Sequence, residues 1–236
     1  ISPWTVKIAI MNGILPVYKP IGMTSFDVIR EFKRHITRTV PDRYKIGHGG
    51  TLDPFADGVL LLLLGKATKK MNELSALKKT YRAVAVLGLE SDTLDSTGII
   101  TQSGDYEVTM EQIKKTALKY VGKIEQEIPN YSATKINGVP RYKLARRGEI
   151  MEKKSKLVTI YDLTIEKFED NEVTFTTTVS SGTYIRQLSY DIFKSLGIPS
   201  YLSGLTRTKI GDYTTEVCGN IEDFKTSKWQ DMIVQM

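Results

Sequence analysis

The 236-residue chain holds one cysteine, Cys218, two histidines and two tryptophans. A single thiol excludes an internal disulfide and a thiolate metal cluster, and points to a reducing, intracellular setting. Two histidines, His35 and His48, with His35 on the polar side of an expected helix, exclude a multi-histidine metal site. Long apolar runs are also missing: the longest, Val59–Leu64, falls far short of the roughly 18 residues that a membrane span requires. The opening "ISPWTVKIAI" lacks the charged start and cleavage site of an export signal. A cytoplasmic protein with no membrane association is expected. Met11 reads as the start of the native chain, which makes residues 1–10 an extension and 11–236 one folded catalytic domain.

What is present suits a packed core: 41% of residues are hydrophobic and 25% charged, with no repeat and no low-complexity linker. Lysine and arginine exceed aspartate and glutamate by 33 to 27, a formal charge of +6. That excess favours an anionic partner, although a mildly basic soluble enzyme has the same balance.

Strand and helix patterns alternate along the chain. "GILPVYKP" reads as a strand ending at Pro20, and "TSFDVIREFKRHI" as a helix capped by Thr24 or Ser25, with Phe26, Ile29, Phe32 and Ile36 on its apolar face. A second helix is expected over 67–77 with Met71, Leu74 and Leu77 inward, followed by the strand "TYRAVAVLGL". Thr109 and Gln112 form a capping box for a third helix. Two strands joined at a turn over 169–171 and a helix stopped by Gly197 complete an α+β layout built on a sheet.

The stretch "KIGHGGTLDPFADG", just before the apolar run, carries the most chemistry. Pro54 pushes the backbone of Asp53 out of the helical region and removes one competing N–H, which presents a fixed carboxylate. A turn aspartate closing its own backbone would account for "LDP" equally well. The glycines around His48 could cradle a phosphate, but the ending of a P-loop is absent.

The whole string decides more than its parts. "GHGGTLDPFADGVL", with "KPIGMTSFDV" before it and "KTYRAVAVLG", "SDTLDSTG", "PNYSATKINGVPRYKLARRGE" and "SSGTYIRQL" in order after it, resembles the TruB family of tRNA pseudouridine synthases over about residues 12–212. The resemblance implies the pseudouridine synthase fold, a mixed, largely antiparallel sheet flanked by helices. It implies isomerisation of the T-loop uridine of tRNA, position 55 in the conventional count, to pseudouridine. That reaction breaks the N-glycosidic bond and joins C5 to C1′ with no net oxidation, so it calls for no cofactor and no metal.

Roles follow residue by residue from the same resemblance. Asp53 matches the catalytic aspartate, nucleophile or base at the ribose, and Arg186 the arginine that pairs with it; burial penalises a carboxylate unless a cation stands by. Tyr81 matches the aromatic that stacks on the target base, and Tyr184 a pocket residue beside Arg186. His48 resembles the residue that fills the space left by the extruded uridine, which would offset part of the few kcal/mol that extrusion costs. Lys19 and Pro20 match a motif that braces the active-site loop, and Lys19 is also expected among the substrate-binding residues. The segment over 127–156 reads as an insertion gripping the T-arm, through Arg141, Arg146, Arg147 and neighbouring lysines, with Tyr142 interleaved for stacking. No obligatory protein partner is evident.

Two departures stand out. Asp57 takes a position where relatives carry a small residue, which puts a second negative charge close to Asp53. The chain also ends about 25 residues after "IGDY", too few for the PUA domain that many relatives add. Two other classes remain open: an RNA-binding module without catalysis, and a metal-dependent phosphoesterase using Asp53, Asp57, Asp92 and Asp95 as oxygen ligands.

Overall fold

The structure, a computed structural model, describes residues 12–36, 44–102, 105–226 and 228–235. The expected extension over 1–10 lies outside them. In chain order the elements are β1 (Gly13–Lys19), α1 (Ser25–Ile36), β2 (Ile46–His48), β3 (Asp57–Leu64), α2 (Met71–Ala76), β4 (Lys79–Leu87), β5 (Leu89–Ser91), β6 (Ile100–Gln102) and α3 (Met110–Leu118). Then follow β7 (Gly122–Glu127), β8 (Lys135–Ile136), β9 (Val139–Pro140), α4 (Arg141–Ala145), β10 (Ser155–Glu169), β11 (Glu172–Val179), α5 (Ile185–Lys194), β12 (Ser200–Ile210) and β13 (Tyr213–Thr214). The class is α+β, with a mixed, largely antiparallel sheet and flanking helices. The described residues divide into two compact units, one made of those up to 79 and from 206 on, the other of those from 80 to 205.

The first unit is organised by β3. Its six consecutive apolar residues are buried on both faces, as a run without alternation requires. Leu60, Leu62 and Leu64 pack with Val28, Ile29, Phe32 and Ile36 of α1 and with Phe224 and Trp229. Val59, Leu61 and Leu63 pack on the other side with Ala67, Leu74 and Ile210. Phe26 is 59% exposed, contrary to the expected helix face. Val28 takes its place because the buried stripe runs through 28, 29, 32 and 36, and Arg30 lies over the Phe26 ring instead. The helix expected over 67–77 is a 3-10 turn, Gly65–Lys70, followed by the short α2, and Met71 faces outward.

One edge of β3 pairs antiparallel with β1 along its length. The other edge is shared. β2 pairs antiparallel with it at Leu62–Leu64, and the end of β12 pairs parallel at Asp57 and Gly58. The segment from Gly49 to Ala56 therefore occupies the gap between two strands that use one edge of β3.

The second unit carries the strand order β12-β4-β11-β10-β7, to which β12 contributes its first residues. β10 and β11 form the expected hairpin, with Asp170 and Asn171 both at positive φ in the turn. The Thr109–Gln112 capping box starts α3 as expected, and Tyr120 just beyond it donates to the Asp191 carbonyl of α5 at 2.7 Å. Between β7 and β10 the chain makes the small β8–β9 hairpin, turning at Asn137 and Gly138, and then α4.

Candidate active site

In the first unit the backbone around Asp53 is tied from several directions. Ser25 does not cap α1, a task done by Thr24, whose hydroxyl accepts from the Asp27 N–H at 3.0 Å. The Ser25 hydroxyl instead accepts from the Leu52 N–H at 2.9 Å and donates to its carbonyl at 3.3 Å. The Gly22 N–H donates to the Pro54 carbonyl at 2.7 Å, and the Ala56 N–H to that of Asp53 at 3.1 Å. Leu52 and Phe55 are buried on either side, leaving the Asp53 side chain partly exposed between them.

Two buried cations complete the brace. Lys19, 0% exposed, donates to the carbonyls of Pro20, Met23 and Ala56. Burial pushes its ammonium down to about 8, with Arg207 acting in the same direction and Asp57 and Asp53 opposing. Lys19 thus braces backbone and, contrary to its expected place among the substrate-binding residues, is enclosed too fully to touch a substrate. Arg207, also 0% exposed, donates to the carbonyls of Val59 at 2.7 Å, Thr51 at 3.0 Å and Gly50 at 3.2 Å. A Cβ at Gly58, where φ is +108°, would lie 2.2 Å from the Arg207 carbonyl oxygen, so only glycine lets β12 join β3 there. Arg207 was not among the residues singled out from the sequence. Its signal was an arginine at an inward position of an alternating strand, two residues after buried Leu205.

His48, at the end of β2, accepts the Gly50 N–H on Nδ1 at 3.3 Å. Burial, and then Arg207, lower its pKa, so the ring is neutral at pH 7 and its remaining proton sits on Nε2. Asp57 accepts from the Tyr18 hydroxyl at 2.8 Å, and burial followed by Asp57 pushes that phenol up to about 12. The extra charge at 57 thus has its own partner on β1.

In the second unit Arg186, 4% exposed, donates to the carbonyls of Thr93 at 2.7 Å and Tyr131 at 3.0 Å and lies 3.3 Å from an Asp95 carboxylate oxygen. Asp95 also accepts from the Thr93 hydroxyl and from the N–H and hydroxyl of Thr97, so "SDTLDSTG" folds into a socket for the guanidinium. Tyr81 is buried on β4. Tyr184 shares a hydrogen bond with the Thr134 hydroxyl at 2.9 Å.

The insertion departs from expectation at one place. Arg141 is 1% exposed and donates to the Glu152 carbonyl and to Asn130, because the first turn of α4 packs it inward. It holds the insertion together and offers nothing to a phosphate. Arg146 and Arg147 are exposed, and Arg146 lies over the Tyr142 ring at 5.7 Å. Of the four carboxylates that a phosphoesterase would need, Asp57 and Asp95 are engaged as described and Asp92 accepts from the Ile99 N–H. Among the described residues no three histidine, cysteine or acidic side chains are grouped as a metal ion would need.

A family model for the TruB family pseudouridylate synthase (N terminal domain) matches residues 34–185. The chain belongs to this family. It is 41% identical over 206 residues to the tRNA pseudouridine synthase B of Fusobacterium nucleatum, covering 87% of this chain and 70% of that one. With the Clostridium perfringens protein of the same name it shares 39% over 228 residues, covering 96% and 76%. The fold is similar to a chain in the crystal structure of a Cbf5-Nop10-Gar1 complex, with TM-score 0.70 and 28% identity over 95% of this chain and 58% of that one. It is also similar to a chain of an H/ACA RNP bound to a substrate RNA containing 2′-deoxyuridine, with TM-score 0.67 and 26% identity over 96% and 57%. This chain thus spans less than three-fifths of those two. As a TruB family pseudouridine synthase it is an isomerase. No helix among the described residues is long and apolar enough to cross a membrane.

Proposed function

We propose that this TruB family enzyme converts the T-loop uridine of tRNA, position 55 in the conventional count, to pseudouridine, with Asp53 acting at the ribose C1′. The bond from N1 to C1′ breaks, the bond from C5 to C1′ forms, and a proton passes from C5 to N1, so the base is isomerised with nothing added. The observation that carries the reading is the Asp53 loop itself. Lys19, Ser25 and Arg207 hold its backbone, and Asp53 is the charged residue at its partly exposed middle. A carboxylate fixed in advance loses little freedom when it meets a reacting carbon.

The tRNA substrate is supported by the names of the curated relatives, and the T-loop by the sequence motifs. Tyr81 would stack on the extruded base, Tyr184 would line the pocket and Arg186 would supply the cation for Asp53; these roles rest on the family resemblance. Neutral, planar His48 suits the filling of the space that extrusion leaves. The exposed cations Arg146, Arg147, Lys153 and Lys154 would meet phosphates of the T-arm.

The test is to incubate the protein with a T-arm hairpin and with full-length tRNA and to map pseudouridine by reverse transcription after carbodiimide treatment. One pseudouridine in the T-loop of both is expected. A product at another position, or tight binding without product, would overturn the reading.

A further inference from the structure

Tyr184 is held more firmly than a pocket-lining ring needs. Its N–H donates to Gln126 Oε1 at 2.8 Å and its carbonyl accepts from Gln126 Nε2 at 3.1 Å, with the Gln126 side chain fully buried. With the hydroxyl bonded to Thr134, the ring is tethered at both ends. Over its face, 4.1 Å from the centroid, stands the ammonium of Lys156.

That ammonium is unusual for this chain. Lys19 and Lys79, the other lysines held away from water, are met by three and two backbone carbonyls. Lys156 is half-buried too, and burial lowers its pKa with no carboxylate acting on it. Among the described residues it has no hydrogen-bond acceptor and no ion pair. The ring face offsets only part of what desolvating a charge costs. Beside it, the turn before α5 presents exposed Gly182 at φ +83°, where a Cβ would come 3.2 Å from the ammonium, so the missing side chain leaves the approach open.

We propose that Lys156, seated on Tyr184 and reached past the bare Gly182, binds a single phosphodiester of the RNA substrate next to the extruded nucleotide. The exposed arginines Arg146 and Arg147 would attract RNA without regard to register, whereas a lysine seated on a tethered ring would take one phosphate in one place. The position beside the extruded nucleotide rests on Tyr184 lining the pocket, as proposed above.

The test uses T-arm hairpins in which one backbone linkage at a time, from two nucleotides before the target uridine to two after it, is an uncharged methylphosphonate with the adjoining 2′-hydroxyl methylated. Affinities are measured for wild type, Lys156→Met, which keeps the aliphatic stem on the ring, Lys156→Gln and Lys156→Arg, each checked for an unchanged thermal melt. At one linkage, neutralisation should weaken wild type and Lys156→Arg about tenfold and leave Lys156→Met and Lys156→Gln unaffected. Equal sensitivity of wild type and the neutral variants at every linkage would overturn the proposal, as would a hairpin on which no linkage matters. Pseudouridine formation by wild type on the unmodified hairpin is followed in parallel. Its absence would refute the proposed function, while the linkage coupling alone decides the phosphate site.

Discussion

The two units use positive charge in opposite ways. In the first, Lys19, Lys79 and Arg207 are buried and donate to eight backbone carbonyls between them, those of residues 20, 23, 50, 51, 56, 59, 75 and 77. In the segment over 127–156 of the second, Lys143, Arg146, Arg147, Lys153 and Lys154 are exposed, and their ion pairs are surface ones of small worth, such as Lys153 with Glu127 at 3.2 Å. A buried cation that donates to several carbonyls fixes backbone and is shut away from a ligand. An exposed one keeps its charge available to a partner. The count of 33 basic residues therefore overstates what is exposed, and the hidden ones hold the backbone around Asp53.

The comparison breaks most sharply at Arg207. Arg207→Met strands the carbonyls of Gly50, Thr51 and Val59, at a cost of about 1–3 kcal/mol for each group that water does not reach. A loss of about 3–5 kcal/mol of stability is expected, with kcat down about 100-fold in the folded fraction, KM for RNA little changed and partial recovery in Arg207→Lys. Urea denaturation and single-turnover assays check this, and wild-type kcat in a folded Arg207→Met would contradict the brace.

On the exposed side, Arg146→Gln with Arg147→Gln should leave the melt and the saturating rate intact and weaken binding. The slope of log affinity against log salt should shrink by about 0.7–0.9 for each phosphate that the protein no longer neutralises. An unchanged slope would move the RNA face elsewhere.

The smallest effect sharpens the buried side. Between about pH 8, where folded Lys19 titrates, and its ordinary 10.5, the unfolded chain binds a proton that the folded chain does not, so this group makes stability rise with pH across that window. Tyr18 and Cys218, both pushed up to about 12, act in the opposite direction above their ordinary values, so the difference between wild type and Lys19→Met isolates the lysine. Urea midpoints at pH 7.5 and 10 should show wild type gaining on the variant, and a constant difference would contradict the assignment.

Much of the framework is legible in the sequence, because it depends on neighbours along the chain. The doubly buried run of β3, the Thr109–Gln112 box and the turn at Asp170 and Asn171 are of this kind. Errors arose where tertiary packing chose among equals. Val28 displaced Phe26 because the core lies nearer the far side of α1. Met71 faces outward where the expected helix gives way to a 3-10 turn and a short helix. The turn at Asn137 and Gly138 is a hairpin signal of the readable kind, although no hairpin was expected there. At the candidate site, the turn that follows Asp53 was legible through Pro54. Arg207 and Ser25 act from far along the chain on the backbone of residues 50–52, and a bond to a carbonyl leaves no mark on the residue that owns it. Arg141 looked like its exposed neighbours because one helical turn places a cation inside or outside without a change of composition.

The central claim is that the braced loop exists to present the Asp53 carboxylate. Asp53→Asn keeps size and turn and removes the charge, so one T-arm hairpin measured with both proteins suffices, for single-turnover pseudouridine formation beside a binding isotherm. Wild type should form product while Asp53→Asn forms none, the rate falling at least about 10⁴-fold, about 5 kcal/mol of barrier, with affinity within about threefold. Product at a wild-type rate from Asp53→Asn would contradict the account.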